Sequence, residues 1–287
     1  MASGKEITGK IKSIGNTMKV TSALEMVSAS KIRKSQAMMN ASRPYLRMMR
    51  RISGHLSKAN PEIRHPFTVE YETVAKIGYI VVSTDRGLCG GLNNNLFRIC
   101  LADMQEWQNK GVDVAMVTFG KKAASFFKNV KVDMMGHVSG LGETPQIEDL
   151  IGAVRIMLEA YRDNGIQRLY IVTNTFINTM TQDPNIVQML PLPPSKDEEI
   201  RDIWDYIYEP DAQSLLDAVS VRYIEALIYQ AVLENLASEH AARMLAMKNA
   251  TDNAGDLIDE LKLAYNKARQ AAITQEISEI VGGAAAV

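Results

Sequence analysis

The sequence has little of what most active sites need. Its 287 residues include two cysteines, Cys89 and Cys100. Two thiols make no disulfide framework, so a reducing compartment is expected. The four histidines, His55, His65, His137 and His240, lie in separate segments. None pairs with cysteine or carboxylate at metal-ligand spacing, and His55 and His65 are expected to be ordinary surface residues. No catalytic constellation is legible. No uninterrupted apolar run approaches the roughly 18 residues that a membrane span requires. The opening Met1-Ala2-Ser3-Gly4-Lys5-Glu6 has no apolar core and does not read as a signal peptide. A net charge of -1 names no partner, and 46% apolar with 23% charged residues is a globular composition.

Proline is missing from Asp211 to Val281, and Gly255 is the only glycine inside that stretch before Gly282-Gly283, which should stop a helix. Strong helix formers dominate it. As one helix it would run roughly 100 Å at 1.5 Å per residue. A compact domain of this chain length is only about 40 Å across, so such a helix is expected to project from it. Ala237, Ala241, Met244, Thr251, Ala254, Ile258, Leu261, Tyr265, Ala268 and Ala272 recur mostly at steps of three and four. That stripe predicts a coiled-coil seam in which small residues allow close approach.

The chain start is a natural mate for it. Ser3 and Glu6 form a capping-box pattern. Ile7, Ile11, Ile14 and Met18 define a face, with Val20, Leu24 and Val27 on a neighbouring stripe. Pro44 is expected to kink or split the helix. Residues 1–58 hold twelve basic side chains against two acidic ones, Glu6 and Glu25. That asymmetry admits a solvated face, a nucleic-acid surface or a weak, sliding contact with acidic loops of a protein partner. Tyr45 is the only aromatic residue there, so stacking platforms for nucleic acid are missing.

The middle of the chain changes period. Asn60 to Tyr71 reads as a linker. Strands are expected over Ile77–Ser83, Val112–Phe119, Val130–Val138 and Arg168–Asn174, with helices over Asn94–Gln108, Lys121–Phe127 and Ile147–Arg162. Alternation of this kind implies a mostly parallel sheet and a Rossmann-like α/β domain inserted between the terminal helices. Gly87, Gly90 and Gly91 follow the first strand as G-x-x-G-G, which is neither a dinucleotide fingerprint nor a P-loop. A tight turn touching another element, with Cys89 a small packed thiol, fits better. Glu143, Glu148 and Asp149 sit where carboxylates favour a helix start. Ile186 to Pro194 is apolar and proline-rich, and the aromatic cluster of Trp204, Tyr206 and Tyr208 that follows admits an edge strand closing the sheet or an exposed docking surface at the base of the long helix.

Long strings of the chain, Glu25-Met-Val-Ser-Ala-Ser-Lys31, Ser83-Thr-Asp-Arg-Gly-Leu-Cys-Gly-Gly-Leu-Asn93, Tyr208-Glu-Pro-Asp211, Glu234-Asn-Leu-Ala-Ser-Glu-His-Ala-Ala-Arg-Met244 and Met247-Lys-Asn-Ala-Thr-Asp-Asn253, resemble the gamma subunits of bacterial F-type ATP synthases. The likeness covers essentially the whole chain. It implies an α/β fold with a long antiparallel coiled coil (1–58 and 211–287) around an inserted domain (59–210). It also implies a central-stalk rotor, one copy per complex, turned by a membrane c ring and driving conformational change in a head of alpha and beta subunits. Under that resemblance the chain has no catalytic residues, metal or cofactor. ATP, ADP and magnesium bind alpha and beta, and nucleic acid is not a partner. The complex alone holds it at the cytoplasmic face of the bacterial inner membrane. Leu24, Met26, Lys31, Arg33, Lys34, Arg269, Gln270, Thr274 and Glu276 then correspond to contacts with the head. Trp204, Tyr206, Tyr208 and Glu209 correspond to contacts with the c ring and the epsilon subunit.

Overall fold

Two helices frame a five-stranded sheet in the computed structural model, which describes residues 4–59, 65–192, 209 and 211–284. In order the elements are α1 (Gly4–Ala59), β1 (Lys76–Val82), α2 (Leu92–Asn109), β2 (Asp113–Phe119), α3 (Lys121–Phe127), β3 (Asp133–Val138), α4 (Glu148–Arg162), β4 (Arg168–Phe176), β5 (Gln182–Leu190) and α5 (Ala212–Ala284). They form two compact units, one of Ser30–Ala242 and one of Met1–Ala29 with Arg243–Val287.

In the larger unit the sheet order is β3-β2-β1-β4-β5. The first four strands are parallel, and β5 pairs antiparallel to β4 at the edge. β5 is an edge strand formed in part by the apolar stretch from Ile186, whereas the aromatic cluster for which an edge strand was expected lies mostly outside the described residues. β1 and β2 are almost wholly buried, as a sheet covered on both faces requires. Side chains alternate between the two faces. Ile77, Tyr79 and Val81 point to α2 and α3, where Leu96, Cys100, Met104 and Phe127 complete one core. Ile80 and Val82 point the other way, to Val154, Met157 and Tyr161 of α4 and to Ile224, Ile228, Ala231 and Val232 of α5. The start of α5 is thus a covering helix of the sheet as well as a coil strand. Asp211 caps it, its Oδ1 accepting the Ser214 N–H at 2.9 Å.

α1 meets α5 within this unit. Met39 packs on Leu233 and Ala237. The Ser42 hydroxyl bonds the Gln230 side-chain oxygen, and Arg43 lies 3.6 Å from Glu234. Pro44 does not divide α1, which runs unbroken through it. Both Pro44 and Asn40, whose carbonyl loses its amide partner, are on the exposed face, so solvent can serve that carbonyl.

In the smaller unit Ile7, Ile11, Ile14, Met18, Thr21, Glu25 and Ser28 of α1 are protected at alternating steps of four and three, with Gly15, Ser22, Leu24 and Ala29 half-buried beside them. The seam therefore continues through Thr21 and Ser28 and not through Val20 and Val27, which are 59% and 48% exposed. Small hydroxyl residues occupy the close-approach positions, and of the neighbouring stripe Leu24 is half-buried while Val20 and Val27 are exposed. Thr21 and Thr251 share a hydrogen bond at 2.7 Å, and Ser28 donates to the Leu24 carbonyl at 2.8 Å. On α5, Thr251, Ala254, Ile258, Leu261, Tyr265 and Ala268 are protected, whereas Ala272 is exposed. The helix runs through Gly282 and Gly283 to Ala284, so the expected stop is not one.

Neither His55, 6% exposed, nor His65 is a surface residue. His65 is 3% exposed, as the first described residue of a segment that seats Phe67 in the core. Its Nδ1 accepts the Phe67 N–H at 3.1 Å, and its Nε2–H donates to Asp217 of α5 at 3.2 Å. Arg162 of α4 reaches the same Asp217 oxygen at 2.5 Å. Both nitrogens are satisfied in the neutral ring, and burial holds its pKa below the ordinary 6.5 despite Asp217. The folded state therefore binds the proton less readily than the unfolded chain. The His65 contribution to stability is full above pH 6.5 and is lost as pH falls from 6.5 toward the folded value. Denaturant melts at successive pH values should show a steeper loss of stability below that pH in the native chain than in His65→Gln. Equal slopes would exclude this role. Gly120 gives a second expectation. Its φ is +93°, and an added Cβ would sit 2.4 Å from the Ser83 carbonyl oxygen. Gly120→Ala should cost about 2–4 kcal/mol in the same melts, since neither backbone strain nor the clash can be relieved by a side-chain movement.

Candidate functional site

The basic run of α1 is a charged surface of the larger unit. Lys31, Arg33 and Lys34 lie within a single turn of α1, with Arg33 and Lys34 exposed and Lys31 half-buried. Lys31 is already paired: its Nζ lies 2.5 Å from Glu143 Oε1. Glu143 belongs to the loop between β3 and α4. The sequence pattern assigned it to a helix start, and the fold carries it to α1 instead. Glu148 and Asp149 do occupy the first turn of α4. The Lys31 hydrogen bond, partly opposed by burial, holds the Glu143 carboxyl below its ordinary range, and the charge of Lys34 adds to the effect. Among the described residues neither Arg33 nor Lys34 has an ion pair. The charge of this face is thus reduced but not cancelled.

The glycine turn after β1 is built for packing. Leu88 and Gly90 adopt left-handed backbone conformations, with φ of 64° and 58°. The turn directs the buried Cys89 side chain into a cluster with Leu92 and with Ala242 of α5. Asn93 closes it, donating to Thr84 Oγ1 at 2.8 Å and accepting the Thr84 N–H at 3.2 Å. This meets the expectation of a tight turn against another element. Further buried polar contacts tie β4 to α5, with Asn174 donating to Asn235 at 2.9 Å and Thr173 to the Ala231 carbonyl at 3.2 Å. No sequence motif announced Glu143, Asn174 or Asn235 as functional. Their partners are remote in the chain, and only the fold brings them together.

In the smaller unit Leu24 is half-buried and Met26 is 68% exposed. Met26 shares the outer side of α1 with Val20 and Val27, exposed apolar residues on an otherwise polar surface. On α5, Arg269, Gln270, Thr274 and Glu276 are all exposed. Thr274 satisfies its own hydroxyl on the Gln270 carbonyl at 2.9 Å. Ile273, Ile277, Ile280 and Val281 are exposed beside them. So many bare apolar groups on one helical segment mark a surface that is covered in an assembly. Glu209 is exposed, whereas Trp204, Tyr206 and Tyr208 lie outside the described residues.

Known proteins share both the fold and the sequence. The family model described as ATP synthase matches residues 3–287. The ATP synthase gamma chain of Xylella fastidiosa (strain M12) is 60% identical over 287 residues, covering all of both chains. That of Stenotrophomonas maltophilia (strain R551-3) matches equally, at 60% over the full length of both. A chain in the cryo-EM structure of the Euglena gracilis mitochondrial ATP synthase rotor has the same fold at 21% identity. Its TM-score is 0.67, over 94% of this chain and 98% of that one. With a full-length match to the family model and 60% identity to curated relatives along the entire sequence, this chain belongs to the ATP synthase gamma-chain family.

Proposed function

We propose that this chain is the central-stalk rotor of a proton-driven F-type ATP synthase, carrying rotation of a membrane c ring to a catalytic head of alpha and beta subunits. The observation that carries this reading is the double role of α5. Ile224, Ile228, Ala231 and Val232 lie in the core of the α/β body, while the same unbroken helix continues to Ala284. A turning force on the body reaches α5 through buried side chains, because interiors packed to crystal density transmit strain. It passes along α5 through a continuous backbone hydrogen-bond ladder, with α1 alongside.

The chain itself contributes no catalytic residue. Nucleotide and magnesium belong to alpha and beta, and epsilon and the c ring are the partners at the foot. None of the described helices is long and apolar enough to cross a membrane. The chain is held at the cytoplasmic face of the bacterial inner membrane by the complex alone. Lys31, Arg33 and Lys34 meet acidic loops of the head. Such rim charges set orientation and rate more than affinity, which suits a part that must let go of each partner in turn.

Extraction of membranes with this chain tagged should bring down alpha, beta, epsilon and c subunits. Their absence would sink the assignment. In the assembled complex, joint charge reversal at Lys31, Arg33 and Lys34 should lower ATP turnover by about three- to tenfold while reducing assembly less than about twofold. Parallel loss of turnover and assembly would show that these residues only hold the complex together.

A further inference from the structure

The loop between β3 and α4 is a strap across the two long helices. Gly140 is fixed by its N–H donating to Asp85 Oδ2 at 2.8 Å. Leu141 packs against the core. The Pro145 carbonyl accepts the Tyr229 hydroxyl of α5 at 3.3 Å. Between these anchors Glu143 reaches Lys31 of α1. The loop is thereby tied to the β1 turn, to α5 and to α1, all within one compact unit. We propose that Glu143 is an intramolecular stand-in for the acidic groups of the head, occupying the Lys31 ammonium whenever no partner carboxylate is against it. This rests on the rotor reading and adds a regulatory contact to it.

The physical case is one of effective concentration. A carboxylate anchored on both sides competes as though present at high local concentration, without the entropic cost of bringing a free partner. The pair is not locked away, however. Side chains of Lys31 and Glu143 keep 30% and 49% of their exposure. Pairs this exposed are weak, so a partner acid can displace Glu143 and Glu143 can displace it in return. Lys31 thus never passes from a paired to a bare state as partners change. Arg33 has no such stand-in among the described residues, and Lys34 feels Glu143 only through its charge, so their attraction to the head varies more with each approach.

Zero-length carbodiimide coupling tests this, because it joins only amines and carboxylates in direct contact. In the purified whole complex, peptide mapping should find Lys31 joined to Glu143. In complexes carrying Glu143→Gln, coupling of Lys31 to head-subunit carboxylates should rise about two- to fivefold, the range expected on losing a weak competitor. Glu143→Asp, one methylene shorter, should fall between the two. Equal coupling of Lys31 to the head in native and Glu143→Gln complexes would overturn the stand-in role, as would assembled complexes in which Lys31 never couples to the head. Neither result touches the rotor reading. That reading fails separately if the tagged native chain assembles with no head subunits at all.

Discussion

Close approach of α1 to α5 is the constraint from which the other features follow. Alanine, serine and threonine stand where larger side chains would hold the helices apart. Ala237 is wholly buried beside Met39 and Leu233, and Thr21 meets Thr251 across the smaller unit. Hydroxyls at such positions would be a liability if left bare. Ser28 and Ser35 each donate to a carbonyl four residues back on their own helix. The polar group is satisfied without the partner helix, so small size is gained with no unpaired donor.

The α/β domain is not merely attached to this pair, because the first turns of α5 are part of its core. α4 covers only part of one sheet face, and Ile224, Ile228, Ala231 and Val232 complete it. The Asn174–Asn235 and Thr173–Ala231 hydrogen bonds fix where β4 sits along the helix, which apolar packing alone would leave free to slide. One element therefore serves two packing problems within the larger unit: its first turns wall the sheet, and Leu233 and Ala237 meet α1.

The surfaces obey a different rule from the core. Lys31 is held by a half-exposed acid, Arg33 and Lys34 face solvent, and Met26, Ile277 and Ile280 are bare apolar groups on helices. Each contact such residues make is weak and reversible. A stiff interior with a loosely interacting exterior suits a member of a rotary assembly, since force must be carried inside the chain while contacts outside it are exchanged.

Much of this was written into the order of residues. Periodicity located the long helices and the parallel strands, because a helix face repeats every three or four residues and a doubly covered strand is continuously apolar. Lys121–Phe127 appears as a helix with its expected limits, and β1, β2, α2 and α4 begin within two residues of their expected starts. Recurring strings identified the family. The place of Thr21 and Ser28 in the seam was not legible, because residues chosen for size carry no apolar signal. Pro44 could not be judged locally, since a helix held along its length tolerates residues that would end an isolated one. His65 and Glu143 were misread for a related reason: burial and ion pairing are properties of neighbours distant in sequence. The linear chain by itself determined which segments are helix or strand and to which family they belong. Tertiary structure alone decided that α5 is also a wall of the sheet and that Glu143 lies on Lys31. Both depend on distances between residues far apart in the chain, and local periodicity carries no information about those.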